Sequence, residues 1–458
     1  MEMTTSTHTH SRQFMLRRGM NLRIAGAPAP TAITTASIAP PVRSVALLGA
    51  DFRGTRPALQ VAVGDRVMLG QPLLHDRHDP ALVFTSPGTG IVSNITFGDR
   101  RALQSIVVSI EDNESGRTIA EPLDPATTAS ALIRERLLTS GLWTAFRTRP
   151  FSRVPASGDT PDAIFVTAID TAPLAGDPRA AIARNPVAFR AGVVALTRLI
   201  TGTIYICRAP GEPLPLPDTP QLVDAVFRGP HPAGLPGTHI HHLHPAGATR
   251  TVWHLGYQDV MAIGQLLTTG ILDCTRVVAL TGVVDAPRLL ETRLGASVAD
   301  LYTTTDPALR ILSGDPLTGR EVLGADAWLG RYHQQITVLR EPNESGAFRW
   351  LGAALVTGLA TGLAAVIPRT AHGVQTTRVY GRRTGMLPVD GFERVLPLDL
   401  LPSPLLRALL LQDTETAVDL GCLELAEEDL ALCSYLCPAR QDYGAALRAT
   451  LDDYRRNG

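Results

Sequence analysis

Ala163-Ile-Phe-Val-Thr-Ala-Ile169 is a short apolar run closed by Asp170, and it reads as a buried strand. Pro186 to Ile200 follows, with Phe189, Val193, Leu196 and Ile200 on one helical face. Thr203-Ile-Tyr-Ile-Cys207 is a second strand. Strand, helix and strand at this spacing predict a parallel α/β unit, and this constrains the chain more than any other feature. No G-x-G-x-x-G follows a strand, so an ordinary dinucleotide site has no support.

The chain has 458 residues, too many for one ordinary core, and is expected to divide into several domains. Residues 1–14 are polar and carry no signal-peptide run; they read as a disordered extension. Residues 15–112 form short strands, in which Val61-Ala-Val-Gly64-Asp65-Arg-Val67 and Gly70-Gln71-Pro-Leu73 alternate apolar and turn residues. Ser86-Pro87-Gly88-Thr89-Gly90-Ile91-Val92 repeats that turn and strand. The pattern resembles the barrel-sandwich hammerhead of lipoyl and biotinyl domains. Its hairpin tip is Asp76-Arg-His78-Asp79-Pro80, without the lysine such carriers modify. Residues 113–256 hold a Rossmann-like α/β domain with a further helix from Ala131 to Ser140.

Residues 257–340 open with a helix whose Val260, Ile263 and Leu267 share a face, followed by the strand Arg276-Val-Val-Ala-Leu280. Their order resembles a soluble-ligand-binding β-grasp (SLBB) domain. Residues 341–458 are expected to be mainly helical, over Pro402 to Gln412, Glu427 to Cys437 and Arg440 to Tyr454. The fold class expected is therefore α/β and multidomain.

The chain contains no lysine; all 42 basic residues are arginine. That excludes a Schiff-base enzyme, a P-loop ATPase and a lipoyl- or biotinyl-lysine carrier. A net charge of −1 offers no basic field for nucleic acid. The cysteines, Cys207, Cys274, Cys422, Cys433 and Cys437, are odd in number and make no disulfide framework. Trp350 to Ile367 carries no charge and is near the shortest spanning length, but Gly and Thr interrupt it, so a buried or loosely structured segment is expected.

Three stretches stand out. Arg228 to Pro245 carries His231, His239, His241, His242 and His244 among Gly and Pro, and reads as an ordered loop. On a strand His239 and His241 would share a face, as metal ligands do, but no Cys or carboxylate completes a tetrahedral set. Cys422, Cys433 and Cys437-Pro438 fall one ligand short of an iron–sulfur cluster and suit core contacts instead. Ser140 to Phe151 places Trp143, Phe146 and Phe151 beside Arg147 and Arg149, either to hold an anion or flat ring or to follow a helix cap at Gly141.

Taken together, RRGMNLRIAGAP (Arg17 to Pro28), SGLWTAFRTRPFSRVPA, IDTAPLAGDP, GPHPAGLPGTHIH, YQDVMAIG and GCLELAEEDLALCSYLCP resemble the A-subunit family of sodium-translocating NADH:quinone reductases. The resemblance runs from about Leu16 to Tyr454. The polar N-terminal extension, the missing lysines and the Gly/Ala-rich stretch near 350–367 depart from the family pattern.

The family is related to flavin-binding subunits of the Rnf complex and of complex I. Gly141-Leu-Trp143-Thr-Ala-Phe146 stands where those relatives carry a Gly-rich flavin loop, and the bulky rings would block close backbone approach. Cys433 and Cys437 look like a remnant of their cluster motif. The resemblance therefore implies a peripheral protein on the cytoplasmic face of the bacterial inner membrane, binding no redox cofactor itself. FMN, riboflavin, FAD and a 2Fe-2S cluster belong, by the same resemblance, to partner subunits. The chain is expected to dock chiefly on the B subunit, with C, D, E and F in the complex and ubiquinone as the complex's substrate.

The aromatic–Arg stretch and the His-rich stretch are expected to meet and face the B subunit. The quinone-proximal candidates are Trp143, Arg147, Arg149, Phe151, His231, His239 and His241. No catalytic residue and no metal ligand is assigned. The alternative is an electron-transfer subunit that itself binds flavin or quinone.

Overall fold

The structure is a computed structural model. It describes residues 10–29, 37–111, 116–340, 391–439 and 441–457. The stretch from Trp350 to Ile367 lies outside them.

The chain first visits two sheets that it completes only later. Strand β1 (His10–Met15) and strand β2 (Ser37–Ile38) precede the barrel-sandwich strands. Those are β3 (Ser44–Leu48), β4 (Pro57–Leu59), β5 (Arg66–Val67), β6 (Pro72–Asp76), β7 (Val83–Thr85), β8 (Gly90–Phe97) and β9 (Leu103–Ile110). They form two small sheets, ordered β3-β9-β8-β5 and β4-β6-β7. Leu69, Leu73, Phe84, Val92 and Ile106 are buried between them, as the alternation in this region requires. Residues 10–14 are thus a strand and not part of a disordered extension. The barrel-sandwich strands themselves begin at Ser44.

Strand β10 (Gly116–Thr118) leads to helix α1 (Ser130–Thr139), strand β11 (Arg147–Arg149), strand β12 (Ala163–Ala168), α2 (Pro178–Ile182) and α3 (Pro186–Leu199). β13 (Thr203–Arg208), β14 (Leu222–Arg228), α4 (Pro236–Leu243), β15 (Val252–Gly256) and α5 (Tyr257–Thr269) complete this domain. The sheet order is β1-β14-β13-β12-β15-β11, parallel throughout except for the antiparallel edge strand β11. Asn185 caps α3 by accepting from the Ala188 N–H at 3.0 Å, with Pro186 in the first turn.

Helices α3 and α5 pack backbone against backbone. A Cβ on Gly192 would stand 2.0 Å from the Val260 carbonyl oxygen, and one on Gly264 1.9 Å from that of Ala188. Helix α5, read from sequence as the opening of the third segment, therefore belongs to the α/β layer.

Strands β16 (Ile271–Asp273), β17 (Thr275–Gly282) and β18 (Arg288–Arg293) follow, then α6 (Val298–Leu301), β19 (Leu309–Ser313), β20 (Arg320–Glu321) and β21 (Gln335–Arg340). The mixed sheet of this β-grasp region is ordered β2-β18-β17-β21-β19-β20. The last described part is helical: α7 (Gly391–Val395), α8 (Pro402–Leu411), α9 (Thr414–Asp419), α10 (Ala431–Leu436) and α11 (Tyr443–Asn457). The helix expected over Glu427 to Cys437 is a 3-10 turn, Glu427–Leu430, running into α10.

One buried apolar cluster runs without a break from Leu73 and Phe84 through Ile133, Trp143 and Val260 to Val278 and Ile336. It therefore joins the barrel-sandwich, one face of the α/β sheet and the β-grasp sheet. The opposite sheet face packs Phe165, Cys207 and Phe227 against Ile240 of α4. The terminal helices have a separate core of Phe392, Leu405, Leu409, Cys433, Tyr443 and Leu447. Among the described residues no helix is long and apolar enough to cross a membrane.

Candidate functional site

Helix α1 stops at Gly141, whose φ of +77° suits glycine. The chain then turns inward, so Trp143 and Phe146 are buried. Trp143 Nε1 donates to the Pro155 carbonyl at 3.0 Å, and its ring packs edge-on against Trp253 at 5.3 Å. The Arg134 guanidinium lies 4.9 Å from the Trp143 ring centroid.

Strand alternation places Arg147 and Arg149 on the same side of edge strand β11. Arg149 is fully buried: Nη2 donates to Glu428 Oε1 at 2.9 Å and Nη1 to Ser152 Oγ at 3.0 Å, with Asp429 3.6 Å away. Arg147 donates to the same Ser152 hydroxyl and, at 3.5 Å, to Glu428 Oε2, and lies over the Tyr332 ring. Burial alone would raise the Glu428 carboxyl, but Arg147 and Arg149 outweigh it and bring its pKa down to about 2. Burial lifts Asp429 to about 6, against Arg149 and with the help of Glu428. Phe151 and Ser152 have φ of +81° and +53°, a bend that costs roughly 1–3 kcal/mol per residue. Arg448 holds it by donating to the Phe151 carbonyl at 2.9 Å, and the Phe151 ring stacks towards Tyr454.

The His-rich stretch corrects its sequence reading, because His239, His241 and His242 lie on helix α4 and not in a loop or on a strand. Pro236 occupies the first turn, where its missing N–H costs nothing. His239 is buried against Phe227, its Nε2–H donating to the Ala233 carbonyl at 3.0 Å. Burial drives its pKa down to about 3, so the ring stays neutral. His241 accepts the Asp399 N–H on Nε2 at 2.9 Å, so Nδ1 carries the proton that reaches Glu424 at 2.7 Å. His242 donates to the Pro397 carbonyl at 3.1 Å. His231 is buried, with Nδ1 3.3 Å from Thr171 Oγ1 and its N–H on Asn21 Oδ1 at 2.9 Å.

The two stretches meet on one acidic segment. Glu424 takes His241, Glu428 takes both arginines, and Asp429 lies against the first turn of α4, where a Cβ on Gly237 would stand 2.3 Å from its carboxylate. His254, opposite Arg147 on β15, is fully buried between them, and burial followed by Arg149 and Arg147 holds its pKa well below the usual value. Arg53 and Arg448 complete the contact by pairing with Glu427, each at 2.8 Å. Glu424, Glu427, Glu428 and Asp429 were missed as partners. The signal was present in the run LELAEEDL, the acidic complement of the Arg-rich FRTRPFSR.

Among the described residues no group of three His, Cys, Asp or Glu is placed to hold a metal ion. Cys422, Cys433 and Cys437 are buried in the terminal helical core, where Cys437 Sγ sits 3.3 Å from the Tyr443 hydroxyl. Burial pushes the thiols of Cys422 and Cys433 up to about 12. The hammerhead tip is fastened, since Asp79 accepts from the Ser157 N–H at 2.6 Å and from its hydroxyl at 3.0 Å. A cavity of about 60 Å³ lies between Asp51, Ser86, Ser140, Cys274 and Arg331. It is far below the roughly 300–1,000 Å³ of small-molecule sites.

A barrel-sandwich, a parallel α/β domain and a β-grasp domain sharing one core define a class of multidomain protein. Three family models match: the NqrA N-terminal barrel-sandwich hybrid domain over residues 14–111, the NqrA second alpha/beta domain over 128–272, and the NQRA C-terminal domain over 277–324. The chain is 46% identical over 450 residues to the A subunit of the Na(+)-translocating NADH-quinone reductase of Pseudomonas aeruginosa (strain UCBPP-PA14), covering 97% of this chain and 99% of that one. The proteins of the same description from Klebsiella pneumoniae (strain 342) and Shewanella frigidimarina (strain NCIMB 400) are each 45% identical, over the same shares. The chain belongs to the A-subunit family of the Na(+)-translocating NADH-quinone reductases.

Proposed function

We propose that this chain is the peripheral A subunit of a membrane complex that couples NADH oxidation and quinone reduction to Na+ export. It docks on the B subunit, beside the quinone site, at the cytoplasmic face of the inner membrane, with C, D, E and F completing the complex. The observation that carries this reading is identity of 46%, collinear over 97% of the chain, with a protein named as that subunit. NADH oxidation and the flavin and 2Fe-2S chemistry are assigned to the partners.

Within this reading the seven candidate residues act chiefly by shaping the docking face. Trp143, Arg149, His231 and His239 are buried, and their bonds are made inside the chain. Arg147, Phe151 and His241 retain partial exposure, so any direct contact with ubiquinone falls to them. Removing the chain from the complex is expected to abolish NADH-driven quinone reduction, and adding it back to restore it. Unchanged quinone reduction without it would refute the proposal. The chain expressed alone is expected to be recovered without detergent and to be colourless. Near-stoichiometric flavin or cluster absorption would instead establish it as an electron carrier.

A further inference from the structure

Between the hammerhead turn at Gly70-Gln71, strand β10 and the last turn of α1 lies a surface groove of about 610 Å³. Its size falls within the range of small-molecule sites. Met68, Ile119, Gln71 and two arginines, Arg117 and Arg136, are among its lining, and among the described residues that line it there is no carboxylate. Among the described residues the carboxylates nearest in sequence, Glu121 and Glu135, are exposed and lie outside the lining.

Both guanidinium groups are held in place. Arg117 Nη1 donates to the Leu69 carbonyl at 3.2 Å, and Arg136 Nη1 to the Glu121 carbonyl at 2.9 Å. Each bond uses one of the five N–H donors of the group, and its acceptor is an uncharged carbonyl; among the described residues no carboxylate pairs with either arginine. Gln71 Oε1 accepts the Met68 N–H at 3.1 Å, so its amide nitrogen remains as a third donor. Arg136 stands in the last turn of α1, where a cation is favoured on its own account. Arg117 sits on a three-residue strand and has no such reason. Two fixed like charges lining one groove repel, and a multiply charged oxyanion relieves the repulsion through fork-shaped hydrogen bonds.

We infer that this groove binds a phosphate-bearing ligand, with the phosphate held by Arg117 and Arg136 and assisted by Gln71. Met68, 39% exposed, and Ile119 supply an apolar flank for the rest of the ligand. A soluble phosphate ester and a phospholipid headgroup share this chemistry, and two measurements on the full chain separate them. The first is calorimetric titration with glycerol 3-phosphate. The second is co-sedimentation with phosphatidylcholine vesicles with and without phosphatidylglycerol. Binding is expected in one arm, weakened about tenfold by Arg117→Gln or Arg136→Gln and about a hundredfold by both. The Arg117→Lys/Arg136→Lys pair, which keeps the charge but not the fork, is expected to fall between wild type and the double Gln variant. A thermal melt of each variant confirms that it is folded. Absence of binding in both arms, or a double Gln variant within about threefold of wild type, would overturn the inference.

Discussion

The barrel-sandwich and the terminal helical unit both dock on the α/β domain, by opposite means. The first shares its core: Phe84 and Leu73 belong to the same buried cluster as Ile133, Trp143 and Val260. The second keeps its own core and is joined chiefly by charges, with Arg147 and Arg149 of the α/β domain set against Glu428 and Asp429. Apolar contact is non-directional and tolerates small shifts. A desolvated ion pair fixes one geometry and is costly to break by halves. The helical unit is therefore held in one defined position, while the barrel-sandwich is fused into the body of the protein.

The strongest test of this contrast is Arg149→Met. It leaves Glu428 buried with a weaker partner and is expected to cost about 3–5 kcal/mol. The loss should appear as early protease cleavage and early melting of the terminal helices alone. A uniform fall of the whole melting curve would break the comparison. Leu73→Ala should cost about 3 kcal/mol and lower the barrel-sandwich and the α/β domain together, since they share a core. Two separate transitions in that variant would show that the cluster is continuous in space but not in energy. Asp79→Ala removes three hydrogen bonds at the hammerhead tip, two from Ser157 and one from the Ala81 N–H, and should cost only about 1–2 kcal/mol in a chemical denaturation curve.

The smallest expected effect depends on pH. Because the folded-state pKa of Asp429 is raised to about 6, its contribution to stability is complete below its ordinary value near 3.8 and is lost as pH rises through 6. Glu428 contributes in the opposite sense: its contribution is complete above its ordinary value near 4.5 and is lost as pH falls from there towards 2, so it changes only at the acid end of that window. Buried His239 and His254, both with lowered pKa, face the same region and work against Asp429 as pH falls. Melting temperatures of wild type and Asp429→Asn between pH 4 and 7 isolate the carboxyl. The variant should gain on wild type as pH rises, and a constant difference would remove Asp429 from the account.

The sequence made the periodic elements legible. Helix α3 and strands β12, β13 and β17 lie within a residue or two of where apolar spacing puts them. Helix α4 was hidden because its Pro, Gly and Thr are followed by His, and none of these makes an apolar stripe. Strand β1 was hidden because it lies at a sheet edge, where one neighbour and exposed side chains suffice and polar residues are no obstacle. At the site, Trp143, Arg147, Arg149 and His241 were visible as unusual residues. The acidic partners of Arg147, Arg149 and His241, however, lie far along the chain, at Glu424 and Glu428. No local pattern encodes that pairing.

Strand β1 also sets a timetable. His10 pairs with Val223, so this strand, once it has left the ribosome, waits for a partner 213 residues behind it. At roughly 5–20 residues per second that wait is on the order of ten to forty seconds. Throughout it the segment from His10 to Met15 presents an open backbone edge to whatever else is nearby in the cell.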